Sequence, residues 1–570
     1  MKRFPWRQAR IVFVFHFLVS TYSAENSLHA GWTSGKEAVS VLGQNDFSAE
    51  QANQGGGTPS ATSLSQPYDL ALDPTTRKLF VCDGANNRIL RYSSAAAAAT
   101  GGSAEAVFGQ DDFNSSAAGS AANRFNTPRG ITVDATGRLW VADANNARVL
   151  MFTDASNRSN GPSADGLLGA VTFGAPVFGS GQGQFSSPDD VSAGVSGVIW
   201  VVDSLNHRVL RFDDGAAKAE ANAQDLSNNL GLADGVLGQS GYGTSDINRG
   251  SGSNAPVING FDRPSRSETD EEGNLWVVDT FNNRILLFSD ASSKPNGADA
   301  DGVLGTKDFL TETSPGGGQN RFWGVRGIAL DPRGDLWVTE EFNRRAVRFP
   351  DAAAAAISNA GNPTSNTALP DIVLGQPDFD TNTLPSPPSA SLMSSCVAIC
   401  ASPYGELWIA DSSDHRVLRF TPDSDSYRGD GLVGVKKSSL KGNNRYNSSG
   451  SGQSVTSKSA NLKKLKFYLR QENDGDYGDD LRLTGTKKNR YFKIDYYRKT
   501  GGRKKITGQV TGAGYLDAAL PSGSKTDFEI EVKPQKAAAD RSKTRKIKIT
   551  SSSLLGGLKD RVKATAKTLK

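Results

Sequence analysis

The stretch "LWVVDTFNNRILLF", residues 275–288, places two short apolar runs on either side of a polar turn. Alternating apolar residues bounded by Asp and Asn predict two β-strands joined as a hairpin. The same pattern recurs five more times, at 79–92, 139–152, 199–212, 336–349 and 407–420. Six copies of one hairpin predict a repeat architecture, in which each unit packs against its neighbours.

Each hairpin is flanked by two further short strands. An apolar run that ends in an Asp/Gly turn precedes five of the copies, as in "RGITVDATGR" (129–138). A "VLG"-like strand follows, at 107–109, 167–169, 236–238, 303–305 and 373–375. Four strands per unit, repeating about every 60 to 75 residues, predict an all-β fold that begins with a six-bladed β-propeller.

Two short segments outside the six full units are candidates for the strand that closes such a ring. "VLGQNDF" at 41–47 precedes the first full unit, and "GLVG" at 431–434 follows the last. A closed ring leaves no free sheet edge, so one of them must complete a blade. We expect the N-terminal piece to do so, with a propeller spanning residues 25–434.

The D-x-x-N-x-R hairpins resemble the NHL repeat family over residues 38–434. Two copies depart from the pattern, because Glu340 replaces the Asp and Asp414 replaces the Asn. The units are also longer than the usual repeat of that family. The resemblance implies a propeller, and NHL propellers are mostly interaction platforms with a minority of enzymes. It therefore implies a shape more firmly than a reaction.

The repeated turn has a structural interpretation that needs no ligand. The acidic oxygen can accept backbone N–H groups, Asn tolerates the left-handed conformation, and the Arg can pair with a carboxylate. We predict a structural turn motif in every blade, made of Asp83, Arg88, Asp143, Arg148, Asp203, Arg208, Asp279, Arg284, Glu340, Arg345, Asp411 and Arg416.

Function is expected where the blades differ but point at the same place. The first strand of each blade should line the axis, and the position two before its Asp reads Ala71, Thr132, Ser192, Glu268, Ala329 and Cys400. Neighbouring positions add charge, and the candidate ligand-binding residues are Tyr68, Asp69, Arg129, Asp189, Asp190, Arg266, Glu268 and Arg326. The alternative is a set of mutually satisfied ion pairs.

The sequence offers few ligands for a catalytic metal. His29, His207 and His415 are the histidines left after residue 24. His207 and His415 fall in turns of opposite blades, so they cannot share a zinc ion. Calcium needs only oxygen ligands, which Glu268, Asp190 and Asp69 could supply. We expect no cofactor, and calcium is the alternative.

Charge divides the chain into two bodies. Residues 435–570 hold 32 Lys and Arg against 12 Asp and Glu, which leaves 32 basic and 48 acidic residues before them. We interpret 435–453 as a flexible linker and the alternating strands of 454–570 as an Ig-like β-sandwich. The basic sandwich could hold an acidic polysaccharide. The two oppositely charged bodies should attract each other at low salt and separate at high salt.

The N-terminal segment has the features of an export signal. Residues 1–24 carry four basic residues, a short apolar run from 11 to 19 and then small residues. This order is typical of a signal peptide. No later segment has the length of apolar residues that a membrane helix needs. We expect a secreted or cell-envelope protein in which Cys396 and Cys400 form no disulfide, because they lie four apart in one strand.

Two functions fit these patterns. The first is an exported, non-catalytic platform whose propeller face binds a protein or a glycan. The second is a calcium-dependent hydrolase of lactones or esters with its site at the axis. Nucleic acid is not an expected partner, because the propeller is acidic and the chain carries an export signal.

Overall fold

The computed structural model describes residues 31–569 except 175, 226–230, 312–315, 320, 361–367, 443–445, 447–448, 450, 461, 536–541 and 556–557. The predicted signal peptide, residues 1–24, lies outside the described residues. Within the described part of the chain, no helix is both long and apolar enough to cross a membrane.

The repeats form six four-stranded sheets. The first strand among the described residues is β1 (Ser40–Leu42). Sheet 1 contains β2 (Pro67–Leu72), β3 (Leu79–Asp83), β4 (Arg88–Tyr92) and β5 (Ala106–Phe108). Sheet 2 contains β6 (Pro128–Val133), β7 (Leu139–Asp143), β8 (Arg148–Phe152) and β9 (Gly166–Leu168). Sheet 3 contains β10 (Pro188–Ala193), β11 (Ile199–Asp203), β12 (Arg208–Phe212) and β13 (Gly235–Leu237).

The second half of the repeats follows the same order. Sheet 4 contains β14 (Pro264–Thr269), β15 (Leu275–Asp279), β16 (Arg284–Phe288) and β17 (Gly302–Leu304). Sheet 5 contains β18 (Val325–Leu330), β19 (Leu336–Glu340), β20 (Arg345–Phe349) and β21 (Ile372–Leu374). Sheet 6 contains β22 (Cys396–Ala401), β23 (Leu407–Asp411), β24 (Arg416–Phe420) and β1.

Helices occur in the connections between these strands. The α-helices are α1 (Ser94–Ala97), α2 (Gly215–Gln224) and α3 (Ala352–Ala360). Short 3₁₀ turns close five of the hairpins, at Gly84–Asn86, Ala144–Asn146, Ser204–Asn206, Thr280–Asn282 and Ser412–Asp414. The other 3₁₀ turns are Ala52–Gly55, Ala155–Asn157, Val195–Gly197, Ile247–Gly250, Ala291–Ser293 and Ser424–Ser426.

The six sheets form a closed ring around one axis. The first strand of each sheet contacts the first strand of the next, and β22 contacts β2. The N-terminal strand β1 pairs with β24, with Val41 opposite Leu418. Val41 and Leu42 are fully buried there. The prediction that the N-terminal piece completes the last sheet is confirmed.

A glycine in each "VLG" strand allows neighbouring sheets to approach closely. Gly109 has φ +83°, and a Cβ there would lie 2.1 Å from the Phe125 ring. The same contact recurs at Gly169 with Phe185 and in the next two sheets. Gly43, after β1, has φ +85° and meets Leu64 in the same way. A side chain at this position would be strained and would displace the apolar residue that leads into the next sheet.

The C-terminal module packs two five-stranded sheets face to face. Its strands are β25 (Gly429–Gly434), β26 (Ser454–Ser459), β27 (Leu465–Asn473), β28 (Asp479–Gly485), β29 (Phe492–Arg498), β30 (Lys504–Lys505), β31 (Tyr515–Leu520), β32 (Lys525–Pro534), β33 (Thr544–Ser553) and β34 (Lys559–Thr568). Helix α4 (Thr507–Thr511) packs against β28 and β29. Sheet A has the order β25-β27-β32-β29-β30, and sheet B has the order β26-β34-β33-β28-β31.

The predicted domain boundary at residue 434 is wrong. Strand β25 pairs along its whole length with β27 of sheet A, from Gly429 opposite Asn473 to Gly434 opposite Tyr468. Val433 also belongs to the core shared by sheets A and B. The pairing with β27, which is remote in sequence, assigns "GLVG" to the module. Residues 435–453 therefore connect β25 with β26 inside the module and do not link two bodies.

A buried contact fixes the module to the ring. Trp32 Nε1 donates a hydrogen bond to Tyr477 Oη at 3.0 Å, and Tyr477 Oη donates to Asp331 Oδ2 at 3.2 Å. Tyr477 is fully buried in one apolar cluster with Trp32 and Trp337. Tyr404 Oη of the ring donates to Asp480 at 2.8 Å. The expected flexible tether is contradicted, because apolar packing and short hydrogen bonds join the two bodies.

Replacing Val41 by Ala should destabilise the ring at its closure. Val41 is fully buried in β1, whereas Val39, one residue before the strand, is 48% exposed. We expect Val41→Ala to lower the free energy of unfolding by about 2 kcal/mol, measured by chemical denaturation. The matched control Val39→Ala should change it by less than about 0.5 kcal/mol. Equal effects of the two variants would contradict closure by β1.

The size of the whole chain should not depend on salt. The contact around Tyr477 is buried and short-ranged, so screening of surface charge should not open it. We expect the same radius of gyration by small-angle scattering at about 20 mM and about 500 mM salt, which brackets the screening range. An increase in radius at the higher salt would show that charge attraction holds the two bodies together.

Candidate functional site

A bulge near the start of each innermost strand directs one side chain toward the axis. The pairing between the first two strands slips there, for example between Pro67 and Asp69 of β2 and between Pro188 and Asp190 of β10. β-Bulges reorient side chains locally and occur often beside functional sites. The side chains at the slips are Tyr68, Arg129, Asp189, Ser265, Arg326 and Val397, and in β6 and β18 the slip also contains a glycine, Gly130 or Gly327. All six line one cavity of about 320 Å³.

This first cavity opens on the face of the ring that carries the hairpin turns, which we call the turn face. Glu341, Ser412 and Ser413 from two hairpin turns complete its wall. Arg129 Nη1 lies 2.9 Å from Asp189 Oδ2, and Arg326 Nε lies 2.7 Å from Glu341 Oε2. The mouth of the cavity is therefore built of two ion pairs, with small hydroxyl side chains between them.

Arg266 separates the first cavity from a second one deeper on the axis. It lines both cavities. Its Nη2 donates to Tyr68 O at 2.6 Å and its Nη1 to Asp189 O at 3.0 Å. Its Nε has no hydrogen-bond partner and lies 3.7 Å from Asp69 Oδ1. The guanidinium thus closes the channel by bridging sheets on opposite sides of the ring.

Two glycines of the inner strands, Gly130 and Gly327, lie where neighbouring strands approach each other closely. A Cβ on Gly130 would lie 2.4 Å from Asp190 Cα, and one on Gly327 would lie 2.7 Å from Ala398 Cα. Neighbouring inner strands approach too closely there for any side chain. The remaining space is left to the side chains of Asp69, Asp190 and Arg266.

The second cavity, of about 270 Å³, collects buried carboxyl groups. The predicted ring of Ala71, Thr132, Ser192, Glu268, Ala329 and Cys400 lines it. Burial, with Asp190 and Asp69 nearby, raises the pKa of Glu268 to about 8. Burial also raises the pKa of Asp190 to about 7, which Arg266 partly opposes. Asp190 Oδ2 accepts the Ser267 amide at 2.8 Å.

The structure brings the sequence-predicted site residues together in two groups. Tyr68, Arg129, Asp189, Arg266 and Arg326 line the first cavity. Asp69, Asp190 and Glu268 line the second, together with Arg266.

Sequence reasoning missed six polar residues of the first cavity, which are Gln66, Ser265, Glu341, Ser395, Ser412 and Ser413. Comparison of the repeats contained a signal for Glu341. It follows the repeat acid directly, and the other five copies have Gly, Ala, Ser, Thr and Ser at that position. A single charged residue among small ones distinguishes the turn of sheet 5 from the other five turns.

The axial carboxylates do not fit a calcium ion. Calcium takes six to eight oxygen ligands at about 2.3 to 2.6 Å, so three carboxylates that share it must lie close together. Among the described residues, the one triplet with ligand atoms within 4.8 Å of one another is Asp430, Glu472 and Asp474, in the C-terminal module. Asp69, Asp190 and Glu268 do not meet that distance, although all three line the second cavity together with the Arg266 cation. The calcium alternative lacks its ligand set.

The repeated turn is held by a buried ion pair. In sheet 4, Arg284 Nε donates to Asp279 Oδ2 at 2.8 Å, and neither side chain is exposed. Arg284 Nη2 also donates to the carbonyls of Val257 and Gly260, both at 2.9 Å. Asp279 Oδ1 accepts the Asp262 amide at 2.7 Å. The equivalent pairs recur in the other five sheets.

These contacts agree with the structural interpretation of the turn motif. One arginine connects the hairpin with the segment that leads into its own sheet and, through Phe309 O, with the segment after the outer strand. All three guanidinium nitrogens of Arg284 and both carboxylate oxygens of Asp279 are hydrogen-bonded within the repeat.

The two histidines of the repeats connect neighbouring sheets. His207 and His415 occupy the left-handed position of their turns, with φ near +51° and +52°. His207 Nδ1 accepts the Arg263 amide and His415 Nδ1 accepts the Gln66 amide, both at 3.0 Å. Burial lowers the pKa of both imidazoles. The neutral ring that accepts these bonds is therefore the favoured form.

Exposed apolar side chains lie on the turn face in three successive sheets. Leu205, Phe281 and Phe342 occupy the same turn position and are 48%, 53% and 46% exposed. Trp323 lies against Phe342, with ring centroids 5.9 Å apart. We call these four residues the apolar arc. Sheets 1, 2 and 6 have Ala85, Asn145 and Ser413 at the turn position, so the arc covers one side of the face.

Comparison with known proteins finds one short family match and several distant structural neighbours. Residues 125–152 match the NHL repeat. Similar solved structures include a streptogramin B lyase, with 12% identity, 64% of this chain and 94% of that chain covered, and a TM-score of 0.34. They also include the gluconolactonase XC5397 of Xanthomonas campestris, with 15% identity, coverages of 65% and 88%, and a TM-score of 0.34. No curated protein matches the chain.

A third similar structure is YCF48 bound to a D1 peptide, with 11% identity, coverages of 64% and 96%, and a TM-score of 0.32. The neighbours include enzymes and a peptide-binding protein, so the likeness assigns no activity. The chain is mostly β, with repeated four-stranded sheets, an NHL repeat and propeller-type neighbours.

Removing the arginine of one turn should destabilise the protein strongly. Arg284→Ala leaves the Asp279 carboxylate buried without its cation. Breaking such a pair costs about 3 to 5 kcal/mol of unfolding free energy, more than the roughly 1 kcal/mol of an ordinary hydrogen bond. The matched control is Arg321→Ala, because Arg321 is exposed. A small effect at Arg284, equal to that at Arg321, would contradict a structural role.

The raised pKa of Glu268 gives stability a pH dependence that glutamine removes. The folded state favours the neutral carboxyl group of Glu268. The contribution of this group to the free energy of unfolding is therefore complete below pH 4.5 and is lost as the pH rises through about 8. At pH 9 we expect Glu268→Gln to be more stable than the native protein by about 1 to 3 kcal/mol. At pH 4 the two should unfold alike. The exposed control Glu271→Gln should show no such divergence, and a similar divergence there would contradict the assignment.

Proposed function

We propose that this chain is an exported, six-bladed β-propeller with an Ig-like C-terminal module, and that its turn face binds a protein segment without catalysis. One observation carries the proposal: bulges at the same place in all six sheets direct six side chains, of five residue types, into one cavity. The acid–arginine pair of the turn is present in all six sheets, whereas the bulge position varies between charged, aromatic, hydroxyl and aliphatic residues. Convergent, variable side chains on a rigid frame are the features of a recognition site.

The charges at the mouth favour an acidic group on the ligand. Arg129 is 43% exposed and its partner Asp189 is 9% exposed. Arg326 is 35% exposed and Glu341 is 23% exposed. In both pairs the cation is the more exposed group. A carboxylate entering the cavity would meet the two guanidinium groups first, and bidentate pairing with arginine would fix its orientation.

The apolar arc favours a protein as the partner. Phe281 and Trp323 are exposed beside a charged cavity, and large aromatic residues with arginine dominate binding energy at protein interfaces. The Arg263 guanidinium lies 5.0 Å from the centre of the Phe281 ring. The surface therefore combines an apolar contact area with a polar anchor point. An extended segment with apolar residues beside an Asp or Glu would fill both.

The first cavity does not have the arrangement of a hydrolase. No His or Cys is among the described residues that line it. Ser265 Oγ accepts from Thr280 Oγ1 at 2.7 Å and donates to the Arg326 carbonyl at 3.3 Å. A serine nucleophile would need an adjacent base to accept its proton. The geometry supports binding.

An array of short peptides would test the proposal. We expect purified protein to bind peptides that carry Asp or Glu beside apolar residues, and to lose them when the acid becomes Asn or Gln. Phe281→Ser and Arg326→Gln should each weaken binding at least about tenfold, the loss expected of an interface anchor. Ile357→Ser is the control, because Ile357 is 50% exposed on α3, which packs against β17.

Two outcomes would contradict the proposal. One is equal weakening by Ile357→Ser and Phe281→Ser, which would mean nonspecific adhesion. The other is binding to an oligosaccharide array but not to any peptide, with the Arg326→Gln variant again defective. That result would make the ligand a glycan.

A further inference from the structure

The two outer faces of the C-terminal module differ in how their charges are arranged. The central strand of sheet A, β32, carries Asp527, Glu529 and Glu531 on its outer side. Cations of the flanking strands pair with them, as Lys466 does with Glu529 at 3.2 Å and Arg470 with Asp527 at 2.7 Å. The outer face of sheet A is thus neutralised by its own cross-strand ion pairs.

Sheet B shows the opposite arrangement. Its outer positions carry Lys458, Arg482, Lys546, Lys548, Lys559, Arg561, Lys563 and Lys567. None of these eight cations has a carboxylate within 4.0 Å among the described residues, whereas the ion pairs of the module involve other side chains. Asp480, at the edge of the sheet, is hydrogen-bonded to Tyr404 of the ring.

The strand register places these cations next to one another. Lys548 lies directly opposite Lys563 on β34, and Lys567 lies opposite Lys458 on β26. Like charges directly opposite in a sheet are destabilising. Sheet A avoids this repulsion with carboxylates on its central strand, but sheet B does not. Two like-charged pairs therefore remain on the outer face of sheet B, and a bound anion would relieve their repulsion.

Hydroxyl side chains fill the spaces between the cations. Thr550, Thr565 and Thr456 share the outer face with the lysines. Adjacent strands lie about 4.8 Å apart, so rows of ammonium and hydroxyl groups cross the sheet at short intervals. The face is open, since Lys546 and Lys548 are exposed and the contact with the ring involves Tyr477 and Asp480 at one end of the module.

We propose that the outer face of sheet B binds a linear acidic polysaccharide. Closely spaced ammonium groups match a chain with regularly repeated carboxylate or sulfate groups, and the threonines can bond to sugar hydroxyls. The only large apolar side chain at the paired outer positions, among the described residues, is Leu516. The face thus has no aromatic side chain on which bases could stack, as single-stranded nucleic acids require. It also has no row of apolar side chains to enter a lipid surface.

Titration of the full-length protein with polygalacturonate, with neutral dextran as the control polymer, would test the proposal. We expect Lys546→Gln/Lys548→Gln/Lys563→Gln to bind at least about tenfold more weakly than the native protein. The slope of log affinity against log salt should become less steep by about one per lysine removed. The matched control is Lys464→Gln/Lys466→Gln/Lys493→Gln, which removes three lysines of sheet A. It should bind within about twofold of the native protein.

The remaining outcomes overturn the proposal. Equal losses in the two triple variants would mean that net charge alone attracts the polymer. Absence of polygalacturonate binding by the native protein, or equal binding to neutral dextran, would show that the outer face of sheet B is not a binding site for acidic polysaccharides. Tighter binding to phosphatidylglycerol vesicles or to a single-stranded oligonucleotide than to polygalacturonate would assign the face to a membrane or to nucleic acid. Circular dichroism and the melting temperature of each variant show that the module is folded.

Discussion

An ion pair withdrawn from water holds each repeat of this protein together. The arginine is fully buried with its carboxylate, and its remaining N–H groups reach carbonyls before the first strand and after the last strand of the same sheet. A buried guanidinium is tolerated only when all its donors are satisfied. The pair therefore fixes three segments of chain at once, and replacing either partner leaves a charge that nothing else can compensate. This constraint explains why the motif is repeated with so little change.

Because the acid–arginine pair fixes the hairpin turn, the chemical class of a residue varies between the six sheets only at positions that do not contribute to this pair. The bulged residue of each first strand is one such place, since it points into the axial cavity and takes no part in the ladder. The second turn position is another, and it carries Phe281 in one sheet and Ser413 in another. In the turn of sheet 4, for example, the exposed Phe281 lies between the structural residues Asp279 and Asn282. The same division holds in the module, where sheet A is neutralised and sheet B is not.

The hairpins, the ring-lining residues and the N-terminal closure could be predicted because each depends on a local pattern that six copies repeat. The bulges could not be predicted, since a slip in register leaves no mark in alternation. Strand β25 was misassigned because "GLVG" looks like the other outer strands, and only its pairing with β27 decides the matter. The contact of Tyr477 with Trp32 and Asp331 was equally invisible, because it joins residues remote in sequence. Glu341 was visible in the repeats and was overlooked.

The strand that closes the ring precedes all six hairpins in the sequence and pairs with the last of them. Strand β1 can pair only after β24 has formed. The hydrogen-bond partner of Trp32, Tyr477, lies 445 residues later in the sequence. Loop closure over such separations is slow compared with the formation of local hairpins. The first five sheets can therefore assemble as the chain emerges, while the sixth and the docking of the module occur together at the end. We expect folding to finish in one late step, in which the first and last strands of the ring pair and the ring loses its last open edge.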